Sequence, residues 1–541
     1  MSATVNANLN RCFMRFEDRA ERFDNKQIIE TFVSVGPLLD ILANKSHQII
    51  YGRRGVGKTH ALKYFESQAK NSGDIAIYVD CQNIGSNQSI YDDKDLPISE
   101  RATRLLIDVC SAMHWAFLDT FTDASRGWSL ADVAPLLDDF TNAISQIRID
   151  GSYEVEARVT EARKTGASSS LGLAIKEKPE FTAGYSSTNN EESSEEVKNR
   201  HSGVERSSID FNFIMQNMRK IVNFVAPRRI WLLVDEWSTV PPDIQPYLAD
   251  LIRRSFFTIP NFSIKIAAIE QRSKFKIDFH DERYIGVELG ADISVALNLD
   301  DYLVFDSNEQ RSIEFFRNLV NRHMRAISRE NSIDIGVPDG ASVTGYAFTQ
   351  ENVFIEFVKA SEGVPRDAMH ILTAAAQKAA VSPISMPIMR QAALQFFQSD
   401  KYNAISANPE NRRMLDWIRH QVIGERRTRA FLLPVGAEDE VIDRLFDRRA
   451  LHILNRNMSA AHLPGARFVV YKIDYGCYVD MINTDKFPSG MLFRDDQMTQ
   501  ALLDVPDDDA RSYRRAILDL SEFYKTNPDI RARRDGSQGH E

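Results

Sequence analysis

The sequence predicts an α/β fold: a three-layer core around a parallel sheet, a helical region after it, and a C-terminal α+β domain of winged-helix type. Three observations predict this. A short apolar run, Gln48 to Tyr51, ends in a glycine-rich turn and is followed by helical spacing from His60 to Ala69. A second apolar run, Ile230 to Val234, ends in the two carboxylates Asp235 and Glu236. After about Ile405 the pattern becomes helix, strand, helix, strand, strand.

Taken in order, residues 1–45 read as a helical lead-in with an apolar stretch from Thr31 to Leu42. A parallel-sheet core is expected over 46–305. Its strands fall at Gln48–Tyr51, Ile75–Cys81, Ile230–Asp235 and Phe262–Ile269, where β-formers run without interruption as in a sheet buried on both faces. Its helices fall at His60–Ala69, Ile98–Thr122, Leu130–Ile147, Phe211–Phe224 and Ile244–Phe256, where apolar residues recur at helical spacing. Between Gly151 and Ser208 the character changes. Tyr153–Val159 and Leu171–Ile175 alternate like strands, and TNNEESSEEVKN (188–199) is acidic and aperiodic. This stretch is expected to be an insertion, a β-hairpin plus a flexible loop, serving as a surface excursion or as a gating element. A helical lid is expected over 306–405, with helices at Glu309–Ala326 and, with short breaks, Glu351–Phe397. Over 406–541 the expected elements are helix Arg412–Val422, strand Arg429–Leu433, helix Glu438–Leu454, and strands Arg467–Ile473 and Cys477–Ile482 turning at Tyr475-Gly476.

A chain of 541 residues is too long for one core, and 43% hydrophobic with 26% charged residues fits a globular protein. No apolar run reaches the roughly 18 residues of a membrane span, and the N-terminus lacks a secretory pattern. Cys12, Cys81, Cys110 and Cys477 are scattered, so neither a zinc site nor a disulfide framework is expected, and a cytoplasmic location is. The net charge of −10 argues against a protein basic over its whole surface; nucleic-acid contact would need a local basic patch.

Gly52 to Thr59, GRRGVGKT, matches G-x-x-x-x-G-K-[ST]. Glycines permit positive φ and close backbone approach, so successive N–H groups form an anion nest. A following helix adds the positive end of its dipole. The expected cradle is Gly52, Arg53, Arg54, Gly55, Val56, Gly57, Lys58, Thr59 and His60, holding ATP. Lys58 is expected on the β- and γ-phosphates, and Thr59 and Asp235 in the Mg²⁺ shell. Glu236 is expected to orient and polarise the attacking water.

The phosphate loop and the Asp235-Glu236 pair resemble those of the AAA+ superfamily. Gly363-Val364-Pro365-Arg366 is similar to the sensor 2 motif of AAA+ lids, which implies that Arg366 reaches the γ-phosphate. Ser263–Ile269 followed by Glu270-Gln271-Arg272 resembles the sensor 1 strand, with Gln271 as the polar residue. The pattern is similar to the origin-recognition and initiator-type ATPases and their bacterial relatives, over about 25–400. It departs from them in the long gap between the two motifs and in Gln271, where Asn, Ser or Thr is usual. The resemblance implies an arginine finger shared between subunits of a homo-oligomer. Arg253, Arg254, Arg272 and Arg283 lie in range, with Arg272 or Arg254 favoured, against a role as solvated surface charge.

In the C-terminal region Arg426, Arg427, Arg448 and Arg449 are candidate contacts to double-stranded DNA. Alternatively, the arginines here pair with acids such as Asp416, Glu425, Asp439, Asp443 and Asp447. Three functions follow. The first is a DNA-associated ATPase that assembles as an oligomer. The second is a nucleotide-held signalling switch acting through a partner effector protein, as in bacterial anti-phage systems. The third is a nucleotide-binding structural subunit with little turnover, against which the Asp-Glu pair argues.

Overall fold

The computed structural model describes residues 3–85, 96–123, 127–144, 147–150, 153–155, 199–201, 204–207, 210–279, 283–306, 308–437, 439–459, 465–481 and 516–530. The chain divides into two compact units, Met1–Ile144 with Asp210–Glu541, and Ser145–Ile209. Its strands in chain order are β1 (Gln48–Tyr51), β2 (Ile75–Asp80), β3 (Ile147–Asp150), β4 (Tyr153–Val155), β5 (Asn199–His201), β6 (Val204–Ser207) and β7 (Ile230–Asp235). They continue with β8 (Phe262–Ala268), β9 (Lys276–Asp278), β10 (Tyr284–Gly286), β11 (Ser294–Asn298), β12 (Ala430–Pro434), β13 (Leu451–Ser459) and β14 (Arg467–Ile473).

The larger unit is built on a five-stranded sheet in the order β11-β1-β8-β7-β2, with every pairing parallel. β7 and β8 are buried along their whole lengths, as strands with neighbours on both sides and covered faces must be. All carboxyl ends of a parallel sheet lie on one edge, where ligands of α/β folds bind. The glycine-rich turn after β1 and the Asp235-Glu236 pair ending β7 are therefore brought to the same edge, with β8 between their strands.

Helices Ala3–Phe13, Asn25–Thr31 and Leu38–Leu42 precede the sheet. The second of these opens with a capping box between Asp24 and Gln27. Helices Glu309–Glu330, Glu351–Ser361, Pro365–Ala379 and Met386–Phe396 follow it. One hydrophobic core joins these parts, running from Leu9 and Phe13 through Leu38, Ile50 and Leu233 to Phe316, Phe354 and Leu372, and on to Ile418, Phe431 and Tyr478. Each such buried side chain contributes about 1.5–3 kcal/mol.

The C-terminal region holds helix Pro409–Arg419, helix Glu440–Asp447, and an antiparallel sheet in the order β12-β14-β13. Two expectations are corrected here. The helix expected over Glu438–Leu454 ends at Asp447, because Arg449 takes a left-handed φ of 61° and the chain then enters β13. The LHILNRNMS segment pairs with β14, its outer half alternating exposed and partly buried residues. The strand expected at Cys477–Ile482 is replaced by 3-10 turns at Tyr475–Cys477 and Val479–Met481. There the Asp474 carboxylate caps the turn by accepting from the Gly476 N–H at 2.9 Å. The hairpin is thus β13–β14, one strand earlier than expected.

In the smaller unit, β3 pairs with β6 and β4 with β5, both antiparallel. The strand expected over Tyr153–Val159 is seen as Tyr153–Val155, whereas Leu171–Ile175 and the acidic run up to Lys198 lie outside the described residues. β5 and β6 were not foreseen, since their sequences, NRH and VERS, carry too few β-formers to be read as strands.

Candidate nucleotide site

The loop after β1 turns through Gly55 (φ 88°) and Gly57 (φ 101°) into the helix Lys58–Asn71. Lys58 is buried, and its Nζ donates to the carbonyls of Gly52 at 2.7 Å and Arg53 at 3.1 Å. Burial pushes its pKa down, opposed by Glu236, Asp235 and Asp300. A buried ammonium braced on two loop carbonyls, beside open backbone at Gly57, fits a phosphate chain.

Asp235 is fully buried at the end of β7, and both of its oxygens are engaged. Oδ2 accepts from the Tyr78 hydroxyl at 2.7 Å, and Oδ1 from the Glu236 N–H at 2.8 Å. Glu236 sits in a left-handed turn (φ 51°), a costly conformation for a side-chain-bearing residue and one typical of functional sites. Burial raises its pKa, against the lowering effect of Lys58. Among the described residues no cluster of three or more His, Cys, Asp or Glu could hold a metal by itself.

Arg366 meets the loop directly. The lid helix Pro365–Ala379 starts here with proline in its first turn, and the Arg366 N–H donates to the Gly55 carbonyl at 3.2 Å. A Cβ on Gly55 would lie 2.8 Å from that of Arg366, so the close approach requires glycine. The Arg366 guanidinium lies 3.7 Å from the Asp18 carboxylate of the N-terminal segment. Gly363, at φ 74°, has no room for a Cβ, which would fall 2.5 Å from the Leu303 carbonyl oxygen. Gly363→Ala is accordingly expected to cost about 1–3 kcal/mol, read as a lower urea midpoint. An unchanged midpoint would show that this turn does not set the lid's entry.

Lys58, Thr59, His60, Glu236 and Arg366 line one cleft. Its remaining walls come from elements that motif reading did not reach: Glu17 to Phe23, Thr31 to Leu38, and the lid residues Phe315, Leu319, His323 and Met369. No motif marks these residues; only the packing of the N-terminal segment against the lid brings them to the loop.

Other expected residues fall elsewhere. Gln271 stands in the short turn after β8 and does not line the cleft. Arg254 pairs with Asp250 at 2.6 Å and Arg272 with Asp447, and neither lines its own chain's cleft. Arg53, expected in the cradle, points away from it. It is 1% exposed, its N–H and Nε both donate to Asp300 at 2.8 Å, and Nη1 reaches the Leu451 carbonyl and His452 Nδ1 at 3.0 Å. Its guanidinium also stacks 4.6 Å from the Phe446 ring.

His452 continues this chain of contacts to Asp474 at 3.0 Å, Asp474 to Lys401 at 2.5 Å, and Lys401 to Asp367 at 2.9 Å. Asp367 immediately follows Arg366 in the lid helix. The loop is therefore tied on one side, through Arg53, to the C-terminal sheet, and on the other, through Gly55, to the lid. A buried polar network joins the two.

Of the candidate DNA contacts, Arg427 and Arg448 are exposed. Arg426 donates to the Gln421 carbonyl and side chain at 3.2 and 2.8 Å. Arg449 is committed to Asp367 at 2.6 Å and Asp400 at 2.9 Å, so it serves as an internal brace and is withdrawn as a groove contact. Pairing extends to Arg413 with Asp529, Arg419 with Asp480, Arg429 with Asp306, Arg444 with Glu410 and Glu440, and Arg456 with Glu270 and Asp301. The arginines do pair with acids, but mostly with acids distant in sequence.

The chain matches the family model described as ORC-CDC6-like over residues 16–337. No curated protein matches it. Among solved structures it is similar to a chain of Drosophila ORC bound to DNA, at 11% identity and a TM-score of 0.29, covering 86% of this chain and 92% of that one. It is also similar to the Aeropyrum pernix ORC1 protein in complex with DNA, at 12% identity and a TM-score of 0.27, covering 83% and 93%. The family match spans the glycine-rich loop, the Asp235-Glu236 pair and every strand of the parallel sheet, and on that ground the chain belongs to the ORC-CDC6-like family of origin-recognition-type AAA+ ATPases.

Proposed function

We propose that this protein is a Mg²⁺-dependent ATPase whose nucleotide state governs assembly with further copies of itself and docking on double-stranded DNA. The observation that carries the reading is the convergence of Lys58, Glu236 and Arg366 on one cleft, from three distant parts of the chain. The loop N–H groups and Lys58 bind the phosphates, and Thr59 and Asp235 hold the Mg²⁺ shell. Bound Mg²⁺ supplies neutralisation of phosphate charge. Tyr78 and the Glu236 N–H fix the Asp235 carboxylate. The Glu236 carboxylate accepts a proton from the attacking water, and Arg366 moves from Asp18 to the nucleotide when the lid engages. Residues 46–305 serve as the core, 306–405 as the lid, and 406–541 as a winged-helix domain that presents Arg427 and Arg448 to DNA. An arginine such as Arg254 or Arg272 completes the site of a neighbouring copy.

A phosphate-release assay with and without Mg²⁺ tests the enzyme. Turnover should fall on the acid side at a pH above the ordinary glutamate value of about 4.3, because burial raises the pKa of Glu236 and its base form is lost sooner. An acid limb at or below that value would remove Glu236 as the base. For DNA, a mobility-shift titration against salt should give a steep log–log slope. Arg427→Ala and Arg448→Ala should each reduce that slope by about 1. An unchanged slope in the double variant would refute these contacts.

A further inference from the structure

We propose that His323 reads the base of the bound nucleotide, accepting a hydrogen bond from the exocyclic amino group of adenine. The inference rests on the ATP reading above and adds to it the residue that selects the base. His323 belongs to the lid helix Glu309–Glu330 and lines the same cleft as Lys58 and Glu236. It is 2% exposed, and its Nε2 has no hydrogen-bond partner. Buried polar side chains almost always have one, so an orphan in a ligand cleft calls for a cause.

The neighbouring polar groups of the cleft are already satisfied. Thr31 Oγ1 donates to the Gln27 carbonyl at 2.6 Å, and His60 Nε2 lies 3.1 Å from the Ile28 carbonyl. Among the described residues lining the cleft, His323 Nε2 is the buried side-chain polar atom left open. Aromatic rings surround it. Phe23, which lines the cleft, lies 6.1 Å away between ring centroids and packs edge-on to His60 at 5.8 Å, while Phe16, outside the cleft lining, backs the ring at 5.5 Å. His60 follows Thr59 directly, which places this wall beside the phosphate loop. Flat apolar walls with one convergent polar atom are what a purine site needs.

Burial, aided by the nearby His60, pushes the His323 pKa down to about 3, so the ring is neutral at physiological pH. A neutral imidazole offers one acceptor nitrogen and one donor. The tautomer protonated on Nδ1 leaves Nε2 as the acceptor and suits the amino group of adenine, whereas the other tautomer would suit the carbonyl at the same position of guanine.

The test compares binding of ATP, GTP, the triphosphate of unsubstituted purine riboside, and inorganic tripolyphosphate, each with Mg²⁺. The wild type should prefer ATP over both other nucleotides by about tenfold or more, the worth of one hydrogen bond. His323→Leu should bring ATP and the purine analogue within about twofold, leave tripolyphosphate binding unchanged, and recover part of the preference as His323→Gln. It should also leave the melting temperature of the nucleotide-free protein equal or higher, because an orphaned polar group is exchanged for an apolar one. A structural histidine would instead lower the melting temperature and weaken both nucleotides alike. A preference retained in His323→Leu, a wild type that favours GTP, or a leucine variant that cannot fold would each overturn the proposal while leaving the ATPase reading intact. A wild type that binds neither tripolyphosphate nor any nucleotide would overturn both.

Discussion

Glu236→Gln is expected to hold ATP as tightly as the wild type and to release phosphate about 10²–10⁴-fold more slowly, the usual contribution of a general base. Glutamine keeps the shape of the side chain and leaves the Glu236 N–H on Asp235, so the turn that carries both residues survives. What is lost is the basic oxygen. Lys58→Ala should act one step earlier and remove measurable ATP binding, since its ammonium is the buried cation of the cradle. The pair of variants separates binding from chemistry: equilibrium binding and single-turnover phosphate release are measured on each. Equal turnover in Glu236→Gln and wild type would end the assignment of the base, and ATP binding retained in Lys58→Ala would end that of the loop lysine.

The largest effect on stability is expected from Asp300→Ala. Asp300 accepts from both the backbone N–H and the side-chain Nε of Arg53, with side chains 5% and 2% exposed. Its removal leaves a buried guanidinium without its carboxylate, a loss of about 3–5 kcal/mol. Arg53→Met removes the charge together with its need for a partner and fits the apolar contact with Phe446, so it should cost much less. Urea denaturation checks both. The two variants should differ in function as well. Arg53→Met cuts the link from the loop to Leu451 and His452, so it should weaken any effect of ATP on DNA binding. Equal stability of Asp300→Ala and wild type would show that the pair is energetically idle.

Arg53 also marks the limit of what motif reading could reach. In the pattern G-x-x-x-x-G-K-T its position is a free x, and sequence alone placed it in the cradle with its neighbours. The structure turns it inward, where Asp300, Leu451 and His452 supply partners for the charge of a residue 1% exposed. Arg449 has the same history. Read along the chain it belongs to a basic run, but in the fold its partners, Asp367 and Asp400, come from the lid. No local pattern reveals an ion pair whose members lie that far apart.

Four of the five strands of the core sheet and its helices were legible because each carries its own signal; β11 was not foreseen, since it is fixed by its pairing with β1. Ile49 to Tyr51 and Ile230 to Val234 are apolar throughout since both of their faces are covered. The helix after the loop is marked by its glycines and spacing. Legibility failed at β13, whose first residues, Leu451 to Leu454, read as the end of a helix and whose strand is set by its pairing with β14. β5, β6 and the β9–β10 hairpin failed for the same reason: short strands are fixed by their partners more than by their own residues.

The sequence by itself determined the local elements of the candidate nucleotide site. A loop that must bend through Gly55 and Gly57, a lysine at its end, and two carboxylates closing an apolar strand are local facts, dictated by what a phosphate chain demands of a backbone. The tertiary structure alone decided the company those residues keep. It set Arg366 against Gly55, closed the cleft with the N-terminal segment, left His323 without a partner inside it, and tied Arg53 to the C-terminal sheet. Those outcomes depend on contacts between distant segments, where shape and buried charge are settled by the whole fold and not by any stretch of the chain.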